Sequence, residues 1–307
     1  MPAVDIVVRT KNRPLFLARA LDDILAQEFT DWHLFVVVDG TDPEPVRELL
    51  DARDFGDRAT LLPQPEPVGI PAVANVGVGA GSSEFVTIHD DDDTWHPQFL
   101  ARTVEYLRQT DDLAVAVRTE IVWEQQVGHV LQETGREMFH ASMQEPTYFD
   151  LLRFNHMVPI GIVFRRSAYD ELGPFDERCE VVDDWVFNLS LALIGHYGFL
   201  GDEPLAYWHQ RKDSRGDAGN TVIDRIDDHI RDDRRVRDRA VREYVQEHGP
   251  GALLYLSKYI DERTGDLHGR LDRIEEQQEE ILTILRAKAG EPSMPSRVKS
   301  RLRELRG

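Results

Sequence analysis

Short apolar runs alternate with helical patterns through the first third of the chain, and this alternation restricts the fold more than any other feature. Four runs have the composition of buried parallel strands: residues 4–8, 34–38, 60–62 and 85–89. Between the first two, Pro14 suits the first turn of a helix with apolar residues at helical spacing. This order predicts a mostly parallel sheet with helices on both faces.

Acidic residues follow two of these predicted strands directly. Asp39 follows the strand at 34–38, and a run of four aspartates, residues 90–93, follows the strand at 85–89. Ligands of such open sheets bind beyond the carboxyl ends of the strands. We therefore expect Asp39 and the acidic run to face the same ligand-binding edge.

Four adjacent carboxylates repel one another and resist burial unless a cation compensates them. Carboxylate oxygens suit Mg²⁺ or Mn²⁺, which usually share their coordination with substrate phosphates. The segment HDDDDTWHP, residues 89–97, is therefore a candidate site for a metal and a diphosphate. An alternative is a solvated acidic turn that caps the following helix.

The second half of the chain has a mixed pattern. Residues 160–164 and 204–209 have strand character, and residues 183–194 form an apolar-faced helix pattern. Residues 210–220 are polar and contain two glycines, which predicts a mobile loop. From residue 221 onward the pattern is that of long, charged helices.

A heptad pattern occupies residues 267–285. Its core positions alternate in steps of four and three, with one polar layer: Leu267, Leu271, Ile274, Gln278, Ile281 and Leu285. This pattern predicts a homo-oligomer, with a dimer favoured, held at least partly by this helix. The basic tail at 291–307 is expected to be disordered.

Composition excludes several classes of protein. The net charge is −20, so a general nucleic-acid binder is not expected. The single cysteine forms no internal disulfide and fits a reducing compartment. No run approaches the roughly 20 apolar residues of a membrane helix. The expected location is the cytoplasm, including a peripheral position at the inner face of the membrane.

Four motifs together resemble family 2 glycosyltransferases. In order they are VDIVVRTKNRP, FVVVDGTD, PVGIPAVANVGVGAGSSEFVTIHDDDDTWHP and FRRSAYDELGPFDERCEVVDDWVFNLSLALIG. The resemblance implies an α/β GT-A fold over residues 1–220, with a nucleotide-binding half at 1–95 and an acceptor half at 96–220. A helical, coiled-coil extension at 221–290 would follow.

The resemblance also implies a nucleotide site. Thr10, Asn12 and Arg13 match the first loop that meets the nucleotide, although Asn12 can also cap the helix that follows. Asp39 matches the carboxylate that accepts from an N–H of the base. Val38 precedes it where family members often carry a second aspartate, so the base contact depends on Asp39 alone.

The acidic run matches the family's DXD-type motif. The resemblance implies that Asp92 binds Mn²⁺ or Mg²⁺ directly, and that Asp90 and Asp91 lie nearer the nucleotide or the water shell of the metal. Asp93 matches either a residue behind the metal site or a helix cap. His209 matches a histidine that completes the metal site in some similar enzymes, or it is a packed strand histidine.

Asp183 and Asp184, followed by Trp185, match the family's catalytic acidic pair. An inverting transfer needs a base to take the proton of the acceptor hydroxyl. Asp184 is the better match and Asp183 the alternate, whereas a plain acidic first turn of a helix would explain the same residues. Trp95 and Trp185 could stack on sugars or lie in the core.

Three cations lie in the predicted loop and could screen a donor diphosphate: Arg211, Lys212 and Arg215. A solvated surface loop is the alternative for these residues.

The resemblance implies an inverting, metal-assisted transfer of a sugar from a UDP-, GDP- or dTDP-linked donor to a hydroxyl. The acceptor would be a glycan, a lipid-linked glycan or a small molecule. Two alternatives remain. A sugar-phosphate nucleotidyltransferase would have a glycine-rich loop where this chain has RTKNRP, and a non-catalytic sugar-nucleotide scaffold would not need the acidic pair at 183–184.

Overall fold

The computed structural model describes residues 1–128, 130–212 and 224–289. The chain divides into two compact units, Met1–Arg237 and Asp238–Gly307. The predicted domain boundary at residue 220, the glycines of the predicted mobile loop and the predicted disordered tail all lie outside the described residues. The division at residue 220 therefore stays a prediction.

The strands of the first unit follow the predicted order at the start of the chain. They are β1 (Val4–Thr10), β2 (Trp32–Asp39), β3 (Ala59–Gln64), β4 (Phe85–Asp90), β5 (Thr94–Trp95), β6 (Ala114–Val127), β7 (Val130–Met138), β8 (Ile162–Arg165) and β9 (Tyr197–Gln210). The predicted strand at 160–164 is shorter, because a 3-10 turn at Pro159–Gly161 precedes β8. The long hairpin of β6 and β7 was not predicted.

Helices connect and flank these strands. They are α1 (Pro14–Leu25), α2 (Glu44–Asp51), α3 (Ile70–Ala80), α4 (Phe99–Gln109), α5 (Tyr148–Arg153), α6 (Arg166–Leu172), α7 (Asp183–Ile194), α8 (Ile226–His248) and α9 (Gly251–Ala289). Pro14 begins α1 and Pro71 lies in the first turn of α3, where a missing N–H removes no helical hydrogen bond. Helix α7 has the predicted bounds.

One sheet contains all the strands of the described residues, in the order β3-β2-β1-β4-β8-β6-β9-β5, and β7 pairs with β6. Strands β3, β2, β1 and β4 are parallel. Strand β8 is antiparallel to both β4 and β6, whereas β6 and β9 are parallel. Arg9 pairs with Val37 on one side and Asp90 on the other, so β1, β2 and β4 end at one edge.

Alternate residues of the central strands enter two apolar clusters, one on each face of the sheet. Val4, Ile6 and Val8 pack in the cluster that contains Leu17 of α1 and Leu100 of α4. The other cluster contains Val7, Val37, Val73, Val78 and Leu191. Each fully buried side chain of this size stabilises the fold by roughly 1.5–3 kcal/mol. The predicted arrangement of helices on both faces is therefore present.

A buried carboxylate fixes the end of α3 against the start of β1. Asp5 accepts hydrogen bonds from the amide and hydroxyl of Ser83, at 2.9 and 2.6 Å, and from Arg166 at 2.8 Å. A Cβ at Gly81 would lie 2.0 Å from an oxygen of Asp5. Glycine is therefore required at this position for close approach, and the chain can turn there from α3 into β4.

The second unit contains the end of α8 and the whole of α9, a helix of 39 residues. Its apolar side chains are largely exposed, including those of the predicted heptad pattern. Among the described residues of the chain, no helix combines the length and apolar character that crossing a bilayer requires. The expected cytoplasmic or peripheral location stays a prediction.

Candidate active site

A pocket of about 910 Å³ opens at the carboxyl edge of β1, β2 and β4. Its walls bring together residues from the four motifs that the sequence separates: Thr10, Arg13, Asp39, Asp90, Asp92 and Asp184. Parallel strands that end at one edge account for the first five, and the start of α7 supplies the last. Asn12 has a φ of 54° and lies at an exposed turn beside the pocket. The expectation that Asp39 and the acidic run share an edge is thus met.

Asp91 is held by the loop after β1. Its carboxylate accepts a hydrogen bond from the hydroxyl of Thr10 at 2.7 Å and another from Arg13 at 2.9 Å. Burial and the neighbouring charge of Asp92 nevertheless raise the pKa of Asp91 to about 6. The predicted nucleotide loop and the acidic run are therefore one connected structure.

Asp92 and Asp90 differ in how much of each carboxylate faces the pocket. Asp92 pairs with Arg211 and lies 3.4 Å from Arg13, and its side chain is 9% exposed. Asp90 pairs with Arg9, and its side chain is 30% exposed. Asp92 therefore already has two arginines, Arg211 and Arg13, beside its carboxylate, whereas the carboxylate of Asp90 is more accessible to a further ligand.

Arg9 connects the acidic run to the acidic pair. Its Nε donates to Asp90 at 3.0 Å, and its guanidinium lies 3.9 Å from a carboxylate oxygen of Asp183. The arginine lies at the penultimate position of β1, directly between the two acidic motifs. It therefore holds two carboxylates from distant parts of the sequence on one side of the pocket.

Asp183 and Asp184 begin α7, where the helix dipole favours negative charge. Burial raises the pKa of Asp183, although the charge of Arg9 opposes this. Burial and the adjacent Asp183 carboxylate raise the pKa of Asp184 to about 7. The amide of Asn155 donates to Asp184 at 2.7 Å. Asp184 thus faces the pocket with a carboxyl group that titrates near neutral pH.

Asp39 ends β2 and is fixed by the loop that precedes α3. One carboxylate oxygen accepts a hydrogen bond from the amide of Val68 at 2.7 Å, and Lys11 lies 3.4 Å from the other. The carboxylate is nearly buried. Asp39, Gly69 and Ile70 all line the pocket.

Glu124 of β6 organises a buried group of charges behind the acidic run. It accepts from Arg19 and Arg211, each at 2.7 Å, and lies 3.0 Å from Nδ1 of His209. Burial alone would raise the pKa of Glu124, but hydrogen bonds from His209 and Arg19 outweigh it and lower the pKa to about 2. Glu124 therefore remains ionised and can hold both arginines.

His209 contacts three parts of this group. Its Nε2 lies 2.8 Å from the hydroxyl of Thr94, and its backbone amide donates to Asp93 at 2.8 Å. Burial lowers the pKa of His209, so the ring is neutral at pH 7. Both ring nitrogens thus contact protein groups. Binding of a metal by His209 stays a prediction, and it would require the metal to replace either Thr94 or Glu124 at one of these nitrogens.

The three cations of the predicted loop have different positions. Arg211 is a correction to the prediction of a solvated or mobile cation, because its side chain is fully buried between Asp92 and Glu124 and stacks on Phe16. Lys212 is exposed, with its amino group 3.9 Å from the centre of the Trp123 ring. Arg215 lies outside the described residues, so the predicted lid over the diphosphate stays a prediction.

Trp95 and Trp185 are core residues. Trp95 stacks on Phe99 with ring centroids 4.4 Å apart, and its indole N–H donates to Ile160. The indole N–H of Trp185 donates to Leu151 at 2.7 Å. Both rings are almost fully buried, which favours the core alternative, although Trp185 also borders the pocket.

Carboxyl groups outnumber arginines around the acidic run in the part of the chain that the structure describes. The carboxyls are Asp90, Asp91, Asp92, Asp93, Asp183, Asp184 and Glu124, and the arginines are Arg9, Arg13, Arg19 and Arg211. Burial, and then the charges of Asp92 and Asp90, raise the pKa of Asp93 well above its usual range. An additional cation would relieve this excess of negative charge.

The donor set fits Mn²⁺ or Mg²⁺ in chemistry, since Asp90 and Asp92 offer hard carboxylate oxygens. No three histidine, cysteine or acidic side chains converge on one point among residues 1–128, 130–212 and 224–289. Two carboxylates together with a substrate diphosphate are a usual coordination for these ions. A metal at this site would therefore be shared between protein and substrate.

Several residues of the site escaped prediction from the sequence. They are Arg9, Arg19, Glu124 and Asn155, which lie on four different elements or connections and meet the predicted residues only in three dimensions. Arg9 directly follows the strand predicted at residues 4–8 and is the penultimate residue of β1, so its place at a strand end was the one available signal.

Known proteins match this chain in both sequence and fold. The sequence model of Glycosyl transferase family 2 matches residues 5–173. The uncharacterized glycosyltransferase YwdF of Bacillus subtilis is 27% identical over 190 residues, which cover 62% of this chain and 68% of that protein. An uncharacterized glycosyltransferase of Nostoc is 26% identical over 216 residues, covering 67% of this chain and 64% of its own.

Two solved structures share the fold. TarS of S. aureus in complex with UDP-GlcNAc superposes with a TM-score of 0.56 at 17% identity, over 69% of this chain and 59% of its own. The mannosyltransferase PcManGT of Pyrobaculum calidifontis, in complex with GDP-Man and Mn²⁺, has a TM-score of 0.51 at 20% identity, over 70% of this chain and 58% of its own. The chain thus spans about three fifths of each of these structures.

The solved structures confirm the predicted GT-A type of α/β fold, and the family match covers more than half of the chain. The curated relatives confirm the prediction of a glycosyltransferase. This chain belongs to glycosyl transferase family 2.

Proposed function

We propose that the chain is an inverting glycosyltransferase that moves a sugar from a nucleotide diphosphate to an acceptor hydroxyl, assisted by Mn²⁺ or Mg²⁺. One observation carries the proposal: Asp184, with a pKa near 7, shares a single pocket with the acidic run. A base whose pKa matches the working pH and a cluster of carboxylates for a metal–diphosphate are the two components that such a transfer needs.

The donor would bind across the carboxyl edge of the sheet. Asp39 has its side chain fixed by Val68 and Lys11, so its carboxylate is oriented for an N–H of a base. Asp90 and Asp92 would hold the divalent cation, which when bound neutralises charge that develops on the diphosphate leaving group. The complexes of the two solved structures with UDP-GlcNAc and with GDP-Man support a nucleotide-linked sugar as donor.

The acceptor hydroxyl would approach from the side of α7. Asp184 takes its proton as the hydroxyl oxygen forms a bond to the anomeric carbon and the bond from that carbon to the diphosphate breaks. Asn155 orients the carboxylate, and Asp183 keeps its pKa high. Displacement from the face opposite the leaving group inverts the anomeric centre. The acceptor is a hydroxyl of a glycan, a lipid-linked glycan or a small molecule.

A labelled donor panel tests the proposal. The full-length chain is incubated with Mn²⁺, UDP-, GDP- and dTDP-linked sugars and a set of glycan, glycolipid and small-molecule acceptors, and release of nucleoside diphosphate is measured. We expect one donor to yield a labelled product, whose anomeric configuration by NMR is opposite to that of the donor. Retained configuration contradicts the inverting mechanism.

Adding nucleoside triphosphates and sugar phosphates to the same panel tests the two alternative functions. A nucleotidyltransferase forms pyrophosphate from a nucleoside triphosphate and a sugar phosphate. A non-catalytic scaffold binds a nucleotide sugar, seen as a raised melting temperature, without forming product with any acceptor. Either result would replace the proposed function.

A further inference from the structure

Helix α9 carries a row of exposed apolar side chains along its length, interrupted at Ser257, Thr264 and Gln278. The helix has 39 residues, which correspond to about 58 Å. The row includes residues at both ends and in the middle, each with at least a third of its surface exposed: Leu253, Ile260, Leu267, Leu271, Ile274, Ile281 and Leu285. An isolated helix gains little stability in water without burying such a face. The helix would therefore gain stability by burying this row against a partner.

The row extends the heptad pattern over the whole helix. The d position, which recurs every seven residues, is aliphatic over residues 253–281 of α9: Leu253, Ile260, Leu267, Ile274 and Ile281. The a positions hold Ser257, Thr264, Leu271, Gln278 and Leu285. The predicted pattern at 267–285 is thus the second half of a seam that begins near the start of α9.

The charged residues at the e and g positions, which flank the apolar row, indicate the orientation of the partner helix. The g positions include Arg263 and Arg270, and the e positions include Asp261 and Glu275. In a parallel pair g faces e of the next heptad of the other helix, so Arg270 meets Glu275 of the second copy. In an antiparallel pair g faces g and e faces e, which brings like charges together. The Arg270–Glu275 pair therefore favours the parallel orientation, whereas Arg263 and Asp261 face His268 and Leu256 of the second copy.

We propose that α9 associates in parallel with α9 of at least one further copy of this chain and forms a coiled coil. Gln278 at an a position pairs with its own copy only when the helices are in register, which fixes the alignment. The proposal is independent of the catalytic function.

Light scattering on the full-length chain measures the association. We expect an oligomer at micromolar concentration. Ile281→Glu places a charge inside the seam and should weaken self-association at least about tenfold, a change of roughly 1.4 kcal/mol. Thr283→Glu adds the same charge at an f position, two residues away on the outer face, and should leave the oligomer unchanged. A monomeric wild type, or equal effects of both variants, overturns the proposal.

Disulfide trapping measures the orientation. Ser257→Cys lies at an a position near one end of α9, so its copies meet only in a parallel coiled coil. Mild oxidation should cross-link this variant quickly, whereas Lys258→Cys, at the outward b position, should react slowly. The native Cys179 is buried and the wild-type chain provides the background. An oligomer in which Ser257→Cys does not cross-link overturns the parallel arrangement.

Discussion

The guanidinium of Arg211 donates to the carboxylate of Asp92, although the two residues are 119 positions apart in the chain. The arginine also donates to Glu124 at 2.7 Å and is fully buried. It therefore supplies positive charge directly behind the acidic run. In the sequence, Arg211 lies at the start of a polar loop. In the fold, its side chain is buried against Asp92, one of the proposed metal ligands.

Replacing Arg211 should destabilise the fold. Arg211→Met leaves Asp92 and Glu124 buried without their shared cation, and breaking such a pair costs about 3–5 kcal/mol. Chemical denaturation followed by circular dichroism measures the loss in free energy of unfolding. The control is Arg136→Met, which removes an exposed arginine paired with Glu120 and Glu133 and should cost under about 1 kcal/mol. Equal losses would show that Arg211 has no special role.

Asp184→Asn should abolish most of the turnover. The substitution keeps the shape of the side chain and removes its ability to take a proton, so kcat should fall by roughly 10²–10⁴-fold. Binding of the donor, measured by calorimetry, should persist because the proposed nucleotide contacts lie at the ends of β1, β2 and β4, whereas Asp184 lies in α7. Asp183→Asn is the matched control at the neighbouring carboxylate. If Asp183→Asn is inactive and Asp184→Asn retains kcat, the roles of the two are reversed.

The rate should depend on pH through the same carboxyl group. Burial and Asp183 raise the pKa of Asp184 to about 7, so the group is protonated below that pH and cannot act as a base. We expect kcat to rise roughly tenfold per pH unit below about pH 7 and to level off above it. A pH–rate profile between pH 5 and 9 measures this. A flat profile for the wild type would contradict a base with a raised pKa.

Metal removal and substitution of the acidic run should distinguish Asp92 from Asp90. Excess EDTA should remove activity and Mn²⁺ should restore it. If Asp92 is the direct ligand, Asp92→Asn should reduce turnover by about 10²–10³-fold and weaken Mn²⁺ binding more than Asp90→Asn does. The reverse order would contradict Asp92 as the direct ligand and would assign that role to the more exposed Asp90. Full activity in EDTA would contradict metal assistance.

Local patterns were sufficient for the first half of the fold. Apolar runs predicted β1, β2 and β4, because parallel strands buried on both faces are continuously apolar. The short run at residues 60–62 also predicted β3, although this edge strand is only partly buried. The bounds of α7 were also correct. The hairpin of β6 and β7 was missed because charged residues interrupt its apolar pattern, and the parallel partner of β6, strand β9, is distant in the sequence.

The sequence by itself determined the order of the first four parallel strands and of the helices between them, the edge at which Asp39 and the acidic run meet, and the family resemblance that pointed to Asp184. These features depend on periodicity, on strand direction and on motifs contiguous in the chain. Only the tertiary structure decided which charges neutralise one another: Arg9 with Asp90 and Asp183, and Arg19 with Glu124. Buried ion pairs depend on contacts between distant residues and on exclusion of water, and neither has a local signature in the sequence.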